Sequence, residues 1–223
     1  MNFLDRLHKE LDQYHLLKHP FYQAWNEGEL SVDTLKIYAK EYYGHVAAFP
    51  RYISAIHSRC ENIKDRQVLL ENLIDEEQGE ENHPELWLKF AEGLGCKRED
   101  CKTQELDSTH KLVDEYFDIT RSSYASGLGA LYAYERQTPA VAKSKIDGLK
   151  KFYAINDEDT LKFFTVHMVA DEWHTEECAQ LLEKMDAENQ ELAMNGAVNG
   201  AKLLWNFLDE MQEVHLGNRA LAS

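Results

Sequence analysis

Basic residues are scarce in this sequence: 24 Lys and Arg stand against 40 Asp and Glu, for a net charge of −16. Such an excess repels phosphate backbones and anionic headgroups, which argues against nucleic acid or a membrane surface as the main partner. Long apolar runs are missing too. The longest uncharged stretch, residues 122–134, is too short to span a bilayer and is rich in small polar residues. The first residues, MNFLDRLHKELDQYHLL, are amphipathic and charged with no apolar core, so no signal peptide is expected and the protein reads as cytoplasmic. Cysteine is sparse and scattered, at Cys60, Cys96, Cys101 and Cys178, with no CxxC pair. That pattern fits reduced, structural thiols better than a disulfide framework. Persistent alternation of apolar and polar residues is absent as well, which removes the main signature of β-strands.

What remains is helical periodicity over nearly the whole chain. Hydrophobic residues make up 43%, enough for one compact core at 223 residues. The spacing predicts helices over residues 3–17, 21–26, 32–48 and 51–60, with Ser31 as an N-cap and Pro50 as an interruption. Further helices are predicted over 63–80, running on into 84–94, over 107–121 behind a cap at Asp107 or Ser108, and over 126–136. The last of these restarts at Pro139 and continues to about residue 153. Residues 95–103 read as the main surface loop. Asn156 or Asp157 caps a long helix to residue 185, and 188–216 is the last. Gly127 and Gly129 weaken their helix, and their expected use is the close approach of a neighbour. The reading is all-α: one domain, residues 1–223, a bundle of about eight helices.

The long helix carries His167, Asp171 and His174 at i, i+4 and i+7, within about 60° of one another on its surface. Phe163, Phe164, Val166, Val169, Ala170 and Leu181 flank this stripe and belong in a core. Buried polar groups need partners, and a metal ion would supply them. A second set lies in DEEQGEENHPELW, where either Glu76 or Glu80 can pair with His83; spacing alone does not choose between them. A third candidate is Glu135, the charge that ends the apolar run in ALYAYERQTP. Mixed carboxylate and imidazole donors suit iron or manganese better than structural zinc.

These motifs carry a resemblance. E-x6-H, a YxYE segment and H-x3-D-x2-H near the end resemble the haem-oxygenase-like di-metal oxidases, whose fold is shared with the TenA thiaminases and the PqqC cofactor oxidase. The chain is similar above all to the branch containing the chlamydial protein associating with death domains and its bacterial relatives. HPFYQAWNEGEL, YISAIHSRC, ENLIDEEQGEENHPELW, ALYAYERQTP and FFTVHMVADEWH carry this likeness across most of the chain. It implies a haem-oxygenase-like fold and two divalent ions, Fe/Fe or Fe/Mn, on Glu76, His83, Glu135, His167, Asp171 and His174. Dioxygen and an external reductant are the implied cosubstrates, and a homodimer the implied assembly. The implied activity is synthesis of para-aminobenzoate for folate, with Tyr22 giving the ring and Lys145 the amine. The family pattern has a tyrosine where Phe163 stands; Tyr134, Tyr42 and Tyr43 are the residues that could take its place.

The residues alone offer plainer readings of both donors: Tyr22 as a core aromatic beside Phe21 and Trp25, and Lys145 as a surface lysine in AKSKIDGLKK. Two rival functions stand beside the main one. One is a di-metal oxidase acting on a separate small molecule. The other is an interaction protein that binds helical death domains.

Overall fold

The structure, a computed structural model, describes residues 2–222; the side chains at 169–172, 219, 221 and 222 lie outside the description. Among the described residues there are ten α-helices, three short 3-10 segments and no strand. The helices are α1 (Phe3–Leu11), α2 (Pro20–Glu27), α3 (Val32–Arg59), α4 (Ile63–Glu77), α5 (His83–Gly93), α6 (Asp107–Ser122), α7 (Tyr124–Glu135), α8 (Thr138–Phe152), α9 (Glu158–Glu183) and α10 (Ala187–Ala222).

Most boundaries follow from local chemistry. Ser31, Asn62, Asn82, Ser123 and Asp157 accept hydrogen bonds from the first-turn backbone N–H groups of their helices. Pro20 sits at the start of α2, where its missing N–H costs nothing, and Gly28 closes that helix in the left-handed region at φ 72°.

Several boundaries differ from the sequence reading. The first helix stops at Leu11 and continues as two 3-10 turns. The helices expected to run together over 63–94 are separate, because Gly79 at φ 84° turns the chain and Asn82 starts α5 afresh. Pro50 does not interrupt α3. A proline inside a helix costs roughly 3 kcal/mol, but Val46, Phe49, Pro50 and Ile53 are all buried there and packing on both sides outweighs the loss. The loop over 95–103 contains a 3-10 segment, Arg98–Lys102, anchored by buried Cys101.

Neither Asp107 nor Ser108 caps α6. Buried Glu41 of α3 accepts from Glu105 N, Leu106 N and Thr109 Oγ1 at 2.9, 3.2 and 2.8 Å. Glu210 of α10 accepts from Ser108 N at 2.8 Å. Carboxylates borrowed from two other helices thus satisfy the α6 N-terminus.

α7 lies directly against α10. A Cβ at Gly129 would overlap the Ala193 carbonyl, and one at Gly196 the Ser126 carbonyl. This fixes how deep α7 sits, and with it Tyr134 and Glu135 at its end. α9 packs on α5, α7 and α8, so its inner face meets the ends of α5 and α7.

Helix propensity alone favours alanine over glycine by about 1 kcal/mol. Overpacking against a rigid backbone carbonyl costs about 1–3 kcal/mol. Gly129→Ala is therefore expected to lower the melting temperature; a higher one would show that the two helices do not approach so closely.

Candidate metal centre and adjoining aromatic pocket

Three of the expected ligands converge. Glu76 comes from the last turn of α4, His83 opens α5 and His167 lies midway along α9. All three are buried, and one ligand atom of each lies within 4.8 Å of the others. Glu76 Oε2 is 2.8 Å from His83 Nδ1, and Glu76 Oε1 is 4.0 Å from His167 Nε2. The choice left open by spacing falls on Glu76, which is 3% exposed, whereas Glu80 is exposed to solvent.

The hydrogen bonds fix which atoms face inward. His167 Nδ1 lies 2.6 Å from the Phe163 carbonyl. A carbonyl only accepts, so Nδ1 carries the proton and the Nε2 lone pair is directed toward Glu76 and His83. His83 Nδ1, although close to Glu76, lacks the angle of a hydrogen bond. Ligand bonds of ~2.1 Å would place donor pairs roughly 3–4.2 Å apart, close to this spacing. Two imidazoles and a carboxylate in a dry site therefore fit a divalent cation.

Charge supports the same reading. Burial pushes Glu76 up, but His83 beside it outweighs that and holds its carboxyl below the ordinary range. Burial pulls His83 down, and Glu76 outweighs it in the other direction. Burial, with His83 nearby, takes His167 down to about 4.

Glu135 and His174 lie outside this trio. Glu135 is 1% exposed, and burial raises it to about 8. Its Oε1 accepts from Asn72 Nδ2 at 2.6 Å and its Oε2 from Cys178 Sγ at 3.5 Å. These are weak partners for a buried carboxylate, and a cation would be the strong one. His174 Nε2 is 3.1 Å from Asp75 Oδ2, while its Nδ1 is buried without a partner. Asp171 lies outside the described residues, as do the side chains of Val169 and Ala170.

The expected ring and amine donors meet in a second cluster beside the first. Tyr22 is a core aromatic against Phe21 and Trp25, as its plainer reading has it, but Lys145 is not on the surface. Lys145 is a buried lysine, 6% exposed, which burial brings down to about 7. Its Nζ stands 4.8 Å from the centroid of the Tyr22 ring and 2.7 Å from Tyr38 Oη, and Tyr38 Oη is 2.8 Å from Tyr22 Oη. Burial pushes both phenols far above their usual range. Tyr42 Oη donates to Tyr134 Oη at 3.3 Å. Tyr22, Tyr42, Tyr134, Lys145, Phe163 and His167 line one cavity of about 20 Å³, room for a single water-sized molecule.

Phe163 faces the site, its ring 4.2 Å from that of His167. Tyr42 and Tyr134 border the same cavity. Tyr43 does not: it is half-buried toward Glu85, Cys101 and Arg98.

Sequence reasoning missed Tyr38, Asn72 and Asp75. Asn72 stands one helical turn before Glu76, so a polar residue on that face was the available signal. Tyr38 offered none, since an aromatic one turn before Tyr42 reads as core.

Comparison with known proteins identifies the family. Residues 36–205 match the family described as iron-containing redox enzymes, and the chain belongs to that family. It is 40% identical over 215 residues to the 4-aminobenzoate synthase of Chlamydia muridarum, covering 96% of this chain and 91% of the relative. It is 39% identical to the 4-aminobenzoate synthase of Nitrosomonas europaea, covering 97% and 93%. A solved domain of unknown function with a heme oxygenase-like fold, from Shewanella denitrificans, superposes with a TM-score of 0.80 at 18% identity, covering 95% of this chain and 91% of that one. The fold is the haem-oxygenase-like one expected, and the family carries a metal cofactor.

Because Glu135 is raised by burial, the folded state holds its proton more tightly than the unfolded chain does. Its contribution is present below the unfolded carboxyl range, near 4.5, and is lost as pH rises toward about 8. In the metal-free protein, Glu135→Gln should raise the melting temperature over wild type at about pH 9 and leave it unchanged at about pH 5. An equal shift at both would contradict this picture of a carboxylate without a cation.

Proposed function

We propose that the protein is an oxygen-dependent di-metal oxidase that makes 4-aminobenzoate, taking the ring from its own Tyr22 and the nitrogen from its own Lys145. The observation that carries this reading is the contact of these two side chains in a cavity too small for a separate aromatic substrate. Tyrosine supplies a ring with one carbon, Cβ, para to an oxygen. 4-Aminobenzoate is a ring with one carbon para to a nitrogen. Conversion requires cleavage of the Cα–Cβ bond, oxidation of Cβ to the carboxylate, and replacement of the phenol oxygen by the lysine nitrogen.

The residues suit those tasks. Burial favours the neutral form of Lys145, the form that can act as a nucleophile. Lys145 Nζ already faces the Tyr22 ring. Two ions, Fe/Fe or Fe/Mn, would be held by Glu76, His83, Glu135, His167, Asp171 and His174. Bound there, they supply redox chemistry, moving electrons from an external reductant to dioxygen. The aromatic shell of Trp25, Tyr38, Trp87 and Phe164 around Lys145 keeps bulk water from the reacting groups. A protein that spends Tyr22 and Lys145 turns over once.

Mass spectrometry before and after reaction with Fe(II), reductant and air tests this. The expected result is a lighter protein, with the losses mapped to Tyr22 and Lys145 and no more than one equivalent of product per chain. Many turnovers on an added compound, with Tyr22→Phe still active, would replace this reading by an oxidase with an ordinary substrate.

A further inference from the structure

The buried tyrosines near the site differ in where their hydroxyl protons can go. Tyr52 Oη donates to the Val113 carbonyl at 3.4 Å and Tyr116 Oη to the Ala130 carbonyl at 2.7 Å. A backbone carbonyl is too weak a base to take up a proton. Tyr42 donates to Tyr134, which is another phenol. Tyr22 is different: its hydroxyl is 2.8 Å from Tyr38 Oη, and that oxygen is 2.7 Å from an amine, Lys145 Nζ. All three groups are buried, with no more than 6% exposed, so the line is shielded from solvent along its length. The burial that favours a neutral Lys145 leaves its nitrogen lone pair open to accept.

Removing an electron from a phenol turns it into a strong acid, and a buried phenol cannot discard that proton to water. Oxidation is easy only where a base receives the proton at the same time. We propose that Tyr38 is the proton bridge through which Lys145 takes up the phenol proton of Tyr22 as Tyr22 is oxidised, a role that rests on Tyr22 being the ring donor. In this step the Tyr22 O–H bond breaks and its proton passes to Tyr38 Oη. The original Tyr38 O–H bond breaks, and that proton forms a new N–H bond at Lys145 Nζ. One electron leaves Tyr22 for dioxygen, the terminal oxidant, which gains that one reducing equivalent. The products are a neutral phenoxyl radical at Tyr22, an unchanged Tyr38 and an ammonium at Lys145.

The bridge also selects among the tyrosines. Tyr52 and Tyr116 stand among the same aromatic side chains, but their hydroxyls donate to backbone carbonyls, whereas that of Tyr22 leads through Tyr38 to an amine.

The test follows loss of Tyr22 by mass spectrometry in Fe(II)-loaded, full-length protein given reductant and dioxygen, in H2O and in D2O. Metal content and melting temperature are measured for each variant. Tyr38→Phe keeps the ring and removes the bridge. It is expected to bind the same amount of iron, to consume Tyr22 about 10²-fold more slowly, and to lose the solvent isotope effect that wild type shows. Wild-type rate and isotope effect in Tyr38→Phe would overturn the bridge while leaving the self-consuming reaction in place. Product from wild type with Tyr22 intact would overturn both. Should Tyr38→Phe fail to fold, 3,5-difluorotyrosine at position 38 keeps ring and hydroxyl but changes the acidity of the latter. The rate must then shift with that acidity, and an unshifted rate counts against the bridge.

Discussion

Burial of charge is the constraint on which this molecule depends. Glu76 and Glu135 both sit in a helical core with almost no access to water. An isolated carboxylate in such a place is costly unless it is paired, protonated or bound to a metal. The two resolve the problem differently. Glu76 leans on His83 and is held ionised; among the described residues Glu135 is hydrogen-bonded by an amide and a thiol, and burial favours its protonated form. The imidazoles divide the same way: His167 has its outer nitrogen tied to a backbone carbonyl and its inner one directed at Glu76. Carboxylate and imidazole atoms so placed fit a divalent cation.

The scaffold makes that placement possible. Glu135 is the last residue of α7, and α7 reaches the interior because Gly129 and Gly196 let it lie directly on α10. Glu76 and His83 flank the turn at Gly79, so the break between α4 and α5 turns two helix ends toward α9. Had those helices fused, as their periodicity allows, the E-x6-H pair would lie along one straight face. The helix break is thus part of how the candidate site is formed.

Beside the ligand cluster lies a second environment with different chemistry. Lys145 is enclosed by aromatic rings, and burial disfavours its charge. Stacked and tilted rings from α2, α3 and α5 pack around it. Relatives similar to this chain over most of its length are named for making an aminobenzoate.

Local patterns carried much of this in one dimension. The 3.6-residue period, the caps at Ser31 and Asp157, and the spacing of His167 and His174 all concern residues within a turn or two of each other, where backbone geometry alone sets direction. The likeness of the motifs singled out Tyr22, Glu76 and Lys145, which composition left among core aromatics, acidic helix ends and surface lysines. Other features depend on parts of the chain remote in sequence. Glu41 caps a helix that begins more than sixty positions later, Tyr38 joins Tyr22 to Lys145, and Asn72 meets Glu135. Such pairings arise only when helices pack, because long-range contacts follow from the shapes of whole helix faces and leave no periodic trace. The sequence by itself determined an all-helical chain with metal-binding residue types at helical spacing; only tertiary packing decided which of them share a dry pocket, because burial is a property of the assembled core.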